Sequence, residues 1–261
     1  MKHITVLLTL VLAAGSVAAC DAEFTAGSPA QARPVGAAAS DVPPAEALRA
    51  AVQALDATSH NFELNAGTST GSGRVDHAAK AATMEMRGQA EDLEISMAFT
   101  VIAPDVWVKA DFGAELNELW GLKPGSWMRL DKTKLGASTT LPIDPSGTPD
   151  LGVTDLFKDG LADVRRTDAT HFSGTVDITV TDSVLTPSDK VLEKAGDKAK
   201  QLPFTATVDD KGRLTSFVVD GASVDPDLAI SLTFAGFGSV LPVSAPAGAV
   251  PAPDALYQML S

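Results

Sequence analysis

Alternation of apolar and polar residues is the feature of this sequence that most constrains its fold. In the segment LEISMAFTV, at 93–101, every second residue is apolar, and the residues between them are polar or small. Alternate side chains of a β-strand point to opposite faces of the sheet. The pattern therefore predicts a long strand with one buried face. Its apolar positions are Leu93, Ile95, Met97, Phe99 and Val101.

The same alternation recurs along the chain, whereas helical spacing is scarce. Strand-like patterns occur at 62–66, 82–86, 105–110, 126–130, 172–180, 203–219 and 228–234, with a hairpin turn at 209–212. Helical segments are predicted at 44–57, 114–120, 151–160 and 188–199. Eight or nine strands with few helices do not alternate as βαβ units would. The sequence therefore predicts an α+β fold with an antiparallel sheet.

The N-terminus predicts export and anchoring. A short cationic start and the apolar run ITVLLTLVLAA, at 4–14, are typical of a signal peptide and too short to span a bilayer. The sequence VAAC at 17–20 follows and resembles the lipobox of bacterial lipoproteins. It contains Cys20, the single cysteine of the 261 residues. We expect cleavage after residue 19 and lipidation of Cys20. Ordinary secretion with a free thiol is the alternative.

Composition divides the rest of the chain. Residues 20–43 are rich in Ala, Gly, Ser and Pro, which predicts a flexible tether from Cys20. The folded domain is expected at 44–247, and residues 248–261 are expected to form a C-terminal tail. The formal net charge of −13 argues against a nucleic-acid partner, whose phosphates require a basic face.

Motifs for catalysis or metal binding are few. His60, His77 and His171 lie at or near predicted strands, where an exposed structural role is the more common one. No zinc-protease, nucleophile-elbow or phosphate-loop motif is present, and the acidic loop around Asp144 and Asp150 matches no calcium-binding spacing. We expect no enzyme, no cofactor and no metal. Trp107 and Trp127 suit either core packing or a carbohydrate platform.

The apolar face of the sheet is the main functional candidate. Methionine is flexible and adapts to apolar ligands of varied shape, and three of the six methionines lie on two adjacent predicted strands. The face forms either a solid core or, if the few helices leave a gap, a lipid cavity. The candidate cavity residues are Leu64, Met84, Met86, Leu93, Ile95, Met97, Phe99, Val101, Val176, Ile178, Ile230 and Leu232.

Several segments together resemble one lipoprotein family. After the lipobox and tether come WVK at 107–109 and GSWMRLD at 125–131. HFSGTVD at 171–177, LPFTATVDDKGRLTSFVVD at 202–220 and ISLTFAGFGSVLPVSAP at 230–246 follow. This order is similar to that of the actinobacterial LppX/LprA/LprF/LprG lipoproteins, across roughly 45–246.

The resemblance implies a strongly curved antiparallel sheet, a half-barrel, covered on its concave side by a few helices, similar to the LolA/LolB lipid carriers. It also implies acyl chains of lipids or glycolipids as ligands, held between sheet and helices. The expected protein is a lipoprotein of the cell membrane's extracytoplasmic face that binds and transfers lipid, with a membrane transporter as a further partner. The alternative is a non-catalytic surface or sensor protein with a solid core.

Overall fold

The structure is a computed structural model that describes residues 42–90, 93–135, 153–180 and 187–260. Strands dominate it. They are β1 (His60–Ala66), β2 (Ser69–Asp76), β3 (Ala81–Ala90), β4 (Leu93–Ile102), β5 (Asp105–Asp111), β6 (Met128–Arg129), β7 (Leu161–Arg166), β8 (His171–Val176), β9 (Leu202–Val208), β10 (Leu214–Val219), β11 (Ile230–Ala235) and β12 (Val250–Pro251). The α-helices are α1 (Pro44–Asp56), α2 (Ala114–Leu119), α3 (Val153–Asp159), α4 (Asp189–Ala195) and α5 (Asp254–Met259).

All of these strands belong to one open sheet, in the order β12-β6-β5-β4-β3-β2-β1-β11-β10-β9-β8-β7. Neighbouring strands are antiparallel except for β12 and β6, which are parallel. The α+β fold class predicted from the sequence, with a single antiparallel sheet and few helices, is confirmed.

Helix packing explains how one face of the sheet is buried. The predicted apolar stripe of α1 is in the core, with Leu48, Ala51, Val52 and Leu55 at most 4% exposed. Helix α1 contacts α3, β7 and β10. The rings of Phe157 on α3 and Phe217 on β10 pack with their centroids 4.6 Å apart. These two helices therefore cover the half of the sheet that contains β7 and β10.

Two strands that lack apolar alternation were not predicted. On β2, the apolar face carries Gly71 and Gly73, because Phe62 and Leu64 of β1 lie over these positions. On β7, a register shift between Ala162 and Arg165 and a positive φ of 51° at Asp163 interrupt the alternation. Pattern analysis cannot detect strands whose apolar positions are empty or shifted.

The strand predicted at 172–180 ends earlier than expected. β8 ends at Val176, and a 3-10 helix follows at Ile178–Val180. The Asp177 carboxylate accepts hydrogen bonds from the Thr179 backbone N–H at 2.8 Å and from the Thr179 hydroxyl at 2.6 Å. This local turn stops the strand, because Asp side chains compete with the sheet for backbone donors.

The predicted tail contributes to the fold, so the domain boundary at 247 is too early. β12 pairs with β6, and Leu256, Tyr257 and Leu260 are buried. The Tyr257 hydroxyl accepts a hydrogen bond from the Asp131 backbone N–H at 2.7 Å. The predicted signal peptide, Cys20 and nearly all of the tether lie outside the described residues.

Candidate functional site

The sheet register brings most of the predicted cavity residues together on one face. Leu232 pairs with Leu64 on β1, which pairs with Gly71 on β2. The same row continues through Met86 and Met97 on β3 and β4. In the neighbouring row, Met84 pairs with Phe99. These side chains therefore lie on one face of the sheet.

Burial divides the candidates into two groups. Eight of them are at most 4% exposed and belong to the core: Leu64, Met84, Phe99, Val101, Val176, Ile178, Ile230 and Leu232. The other four are only half-buried. We call these four, Met86, Leu93, Ile95 and Met97, the methionine end. They lie towards the β3–β4 turn, where the apolar face is least covered.

Helix α2 begins next to the methionine end and is fixed there by hydrogen bonds. The Asn117 side chain, 3% exposed, accepts from the Phe112 backbone N–H at 3.0 Å and donates to the Asp111 carboxylate at 2.7 Å. The Gly113 backbone N–H donates to the same carboxylate at 3.0 Å. The hydrogen bond from Asn117, reinforced by that from Gly113, lowers the pKa of Asp111.

Gly113 permits the close approach of α2 to the methionine end. Its φ is +82°, and a Cβ at this position would lie 2.8 Å from Leu93 Cδ1. Sequence reasoning missed Gly113 and Asn117. The available signal was their spacing after Asp111, at a point where a strand gives way to a helical pattern.

A cleft of about 770 Å³ reaches the methionine end. Leu93 and Ile95 line it together with Asp111 and Gly113. Residues of β3 and β4 complete the wall, together with Thr68 and Thr70 at the start of β2. The apolar face is thus connected to solvent at this end of the sheet.

Two of the three histidines outside the predicted signal peptide form a pair in which His60 is buried and His77 is half-buried. The His60 ring is 4% exposed, and its centroid lies 5.8 Å from that of His77. His60 Nδ1 is 2.8 Å from the Thr58 carbonyl oxygen, so this nitrogen carries the hydrogen in the neutral ring. His77 Nε2 is buried without a hydrogen-bond partner among the described residues.

Burial lowers the pKa of both rings, and this is the larger effect in each case. The Thr58 carbonyl acts in the opposite direction on His60, as do Asp56 and Asp76 on His77. His171 is not part of this pair, because it lies on β8, four strands away from β1 in the sheet order. It contacts Asp168 at 2.8 Å in an exposed turn.

The remaining predicted features give no site within the described residues. Asp144 and Asp150 lie outside them. In the described part of the chain, no group of three or more His, Cys, Asp or Glu side chains is placed to hold a metal ion. None of the helices described there is both long and apolar enough to cross a membrane. Comparison with known protein families and with curated proteins gives no match to this chain.

Proposed function

We propose that this chain is a lipoprotein, anchored through Cys20 at the extracytoplasmic face of the cell membrane, that binds and transfers acyl chains of lipids or glycolipids. The observation that carries the proposal is the methionine end. It is an apolar, half-buried stretch of the sheet face, and two of its four residues, Leu93 and Ile95, line a cleft.

The methionine end has the length and chemistry for part of an acyl chain. Leu93, Ile95 and Met97 follow one another on one face of β4, and Met86 pairs with Met97. At about 3.4 Å per residue, the β4 positions span about 14 Å. Each methylene group removed from water there contributes about 0.8 kcal/mol. Methionine side chains adjust to the shape of the chain that they contact.

The eight fully buried candidates have a different role in this proposal. They pack against helices and neighbouring strands and therefore support the sheet. A ligand acyl chain would contact the methionine end and extend beneath α2, whose Leu116 is half-buried against the core.

The direct test is to look for bound lipid. A chain starting at Pro44 would be purified without detergent, extracted with organic solvent and analysed by mass spectrometry, and its uptake of a fluorescent fatty acid would be titrated. Copurified lipid together with saturable uptake is the expected result. Absence of both would contradict the proposal.

A surface protein with a solid core is the second candidate function. It is favoured by the burial of eight of the twelve candidate residues to 4% exposure or less. Such a protein would act through contacts with other proteins, and it would show neither copurified lipid nor uptake of the fatty acid.

A further inference from the structure

The polar face of the sheet contains a groove that adjoins the cleft of the proposed acyl-chain site. A cleft of about 370 Å³ lies over β1, β2 and β3, and Glu63, Asn65, Ser72 and Glu85 contribute to its lining. Thr70 and Arg87 line both this cleft and the larger one described above. The two clefts therefore adjoin. We call their combined polar surface the polar groove.

The register shows that the polar groove runs across the strands. Asn65 pairs with Thr70, Thr70 with Arg87, Arg87 with Ser96, and Ser96 with Asp111. These five residues form one row from β1 to β5, and all of them line the clefts. With strands about 4.8 Å apart, four spacings make the row about 19 Å long.

A second row runs beside the first. Glu63 pairs with Ser72, and Ser72 pairs with Glu85. The side chains of Glu63, Ser72, Glu85, Thr70 and Arg87 are exposed. Within the part of the chain that the structure describes, none of the five makes a side-chain hydrogen bond or an ion pair. Their donors and acceptors are therefore available to a ligand.

The charges of the polar groove select the class of ligand. Its lining contains one arginine, Arg87, and four carboxylates, those of Glu63, Glu85, Glu94 and Asp111. This excess of negative charge repels polyanions such as phosphorylated or sulfated chains. The hydroxyl groups of a ligand both donate and accept hydrogen bonds. They can therefore pair with the carboxylate, amide, hydroxyl and guanidinium groups that lie side by side in the polar groove. We propose that the polar groove binds an uncharged saccharide chain.

An aromatic ring lies beyond one end of the second row. Lys109 on β5 pairs with Ala98, and Ala98 pairs with Glu85. Trp127, just before β6, is half-buried, and the Lys109 ammonium lies 5.1 Å from its ring centroid. The Lys109 ammonium covers one face of the Trp127 ring, and Trp127 lines neither cleft, so the proposed saccharide site is confined to the polar groove.

Two arms of one experiment separate a free saccharide from the headgroup of a glycolipid. The full-length protein, in a detergent without a sugar headgroup, is titrated with maltohexaose and with mannohexaose by calorimetry. The full-length Cys20→Ser protein is then tested for flotation with phosphatidylcholine vesicles that contain or lack a diglycosyl diacylglycerol. The difference between the two kinds of vesicle reports on the headgroup.

The matched variants are Arg87→Gln and Arg165→Gln, two exposed arginines on distant strands. A hydrogen bond from a charged donor strengthens binding, so Arg87→Gln is expected to weaken the affinity for the saccharide about tenfold. Arg165→Gln should leave this affinity unchanged. Binding in either arm with this dependence on Arg87 supports the site and identifies the source of the sugar. The proposal would be overturned by the absence of binding in both arms, or by equal effects of the two variants on binding. It would also be overturned if the groove bound the polycation spermine and Arg87→Gln strengthened that binding. Because the acyl-chain site is assayed by fatty-acid uptake, the two proposals fail independently.

Discussion

The imidazole rings of His60 and His77 lie 5.8 Å apart between centroids, at the point where β1, β2 and the segment after β11 meet. Phe234 packs edge-on to His60 at 5.5 Å, and Phe237 lies 6.2 Å from it. Phe237 also lies under the Arg213 guanidinium at 4.1 Å, and this guanidinium forms an ion pair with Asp209. Protonating either ring here costs free energy, because the charge would be desolvated next to a second imidazole.

We expect this pair to make stability depend on pH. A histidine whose pKa is lower in the folded protein than in the unfolded chain binds fewer protons when folded, so acid favours unfolding. The stabilising contribution is complete above the ordinary value of 6.5 and is lost as the pH falls through the lowered pKa values. The free energy of unfolding, measured with urea between about pH 7.5 and pH 5, should therefore decrease.

The double variant His60→Gln/His77→Gln tests the origin of this slope. It should flatten the decrease, because neither glutamine titrates. A carboxylate with a lowered pKa loses its stabilising contribution at lower pH, as for Asp168, whose pKa is lowered to about 2 by the hydrogen bonds that it accepts from Thr170 and His171. An undiminished slope in the double variant would show that other groups are responsible.

Two glycines of β2 provide a matched pair for a stability prediction. A Cβ at Gly73 would press against the Thr83 carbonyl oxygen and lie 2.7 Å from Phe62 Cζ. At Gly71 the nearest atom, the Glu85 carbonyl oxygen, would be 3.4 Å away, which is ordinary contact. Gly73→Ala should lower the free energy of unfolding by about 1–3 kcal/mol, as overpacking does. Gly71→Ala should change it by less than about 0.5 kcal/mol. Equal effects of the two substitutions on the free energy of unfolding would mean that the packing of Phe62 does not require the space at Gly73.

These glycines also show what the sequence predicts and what it does not. The period-two pattern predicts β4 correctly because each apolar side chain there fills its own position on the face. At β2 the same face is filled by Phe62 and Leu64 of the neighbouring strand, so the information lies in β1. The residue pattern of β2 alone therefore cannot predict this strand.

The candidate site was predictable to a similar extent. Periodicity places Met86, Leu93, Ile95 and Met97 on the apolar face, yet it gives no reason for these four to be less buried than Met84 or Val101. Their exposure depends on where α1, α3 and α2 lie, which is decided by contacts distant in sequence. The polar groove likewise requires the register of five strands, which no single segment specifies.

Asn117 is expected to control the position of α2. Asn117→Ala leaves the buried Phe112 backbone N–H without an acceptor and removes a donor from Asp111. The cost of such unsatisfied groups is about 1–3 kcal/mol, measured as the free energy of unfolding in urea. The adjacent Glu118 is exposed, so Glu118→Ala should change stability by less than about 0.5 kcal/mol. Fatty-acid uptake should fall in Asn117→Ala alone, and an equal effect of the two variants would contradict a positioning role for Asn117.

Tryptophan substitutions at two positions of β4 distinguish an acyl-chain site from a solid core. Met97 is half-buried at the methionine end, whereas Val101, on the same face, is 1% exposed and packs between Ala82 and Val106. An indole at Met97 should fill the space that an acyl chain would occupy, so uptake should fall while stability changes by less than about 1 kcal/mol.

Val101→Trp should instead overpack the core and cost about 1–3 kcal/mol or more. Urea unfolding and fatty-acid titration of both variants give the comparison. If Met97→Trp were as destabilising as Val101→Trp, the methionine end would be as tightly packed as the rest of the face. The sheet would then have no room for a ligand there, and the surface-protein alternative would be favoured.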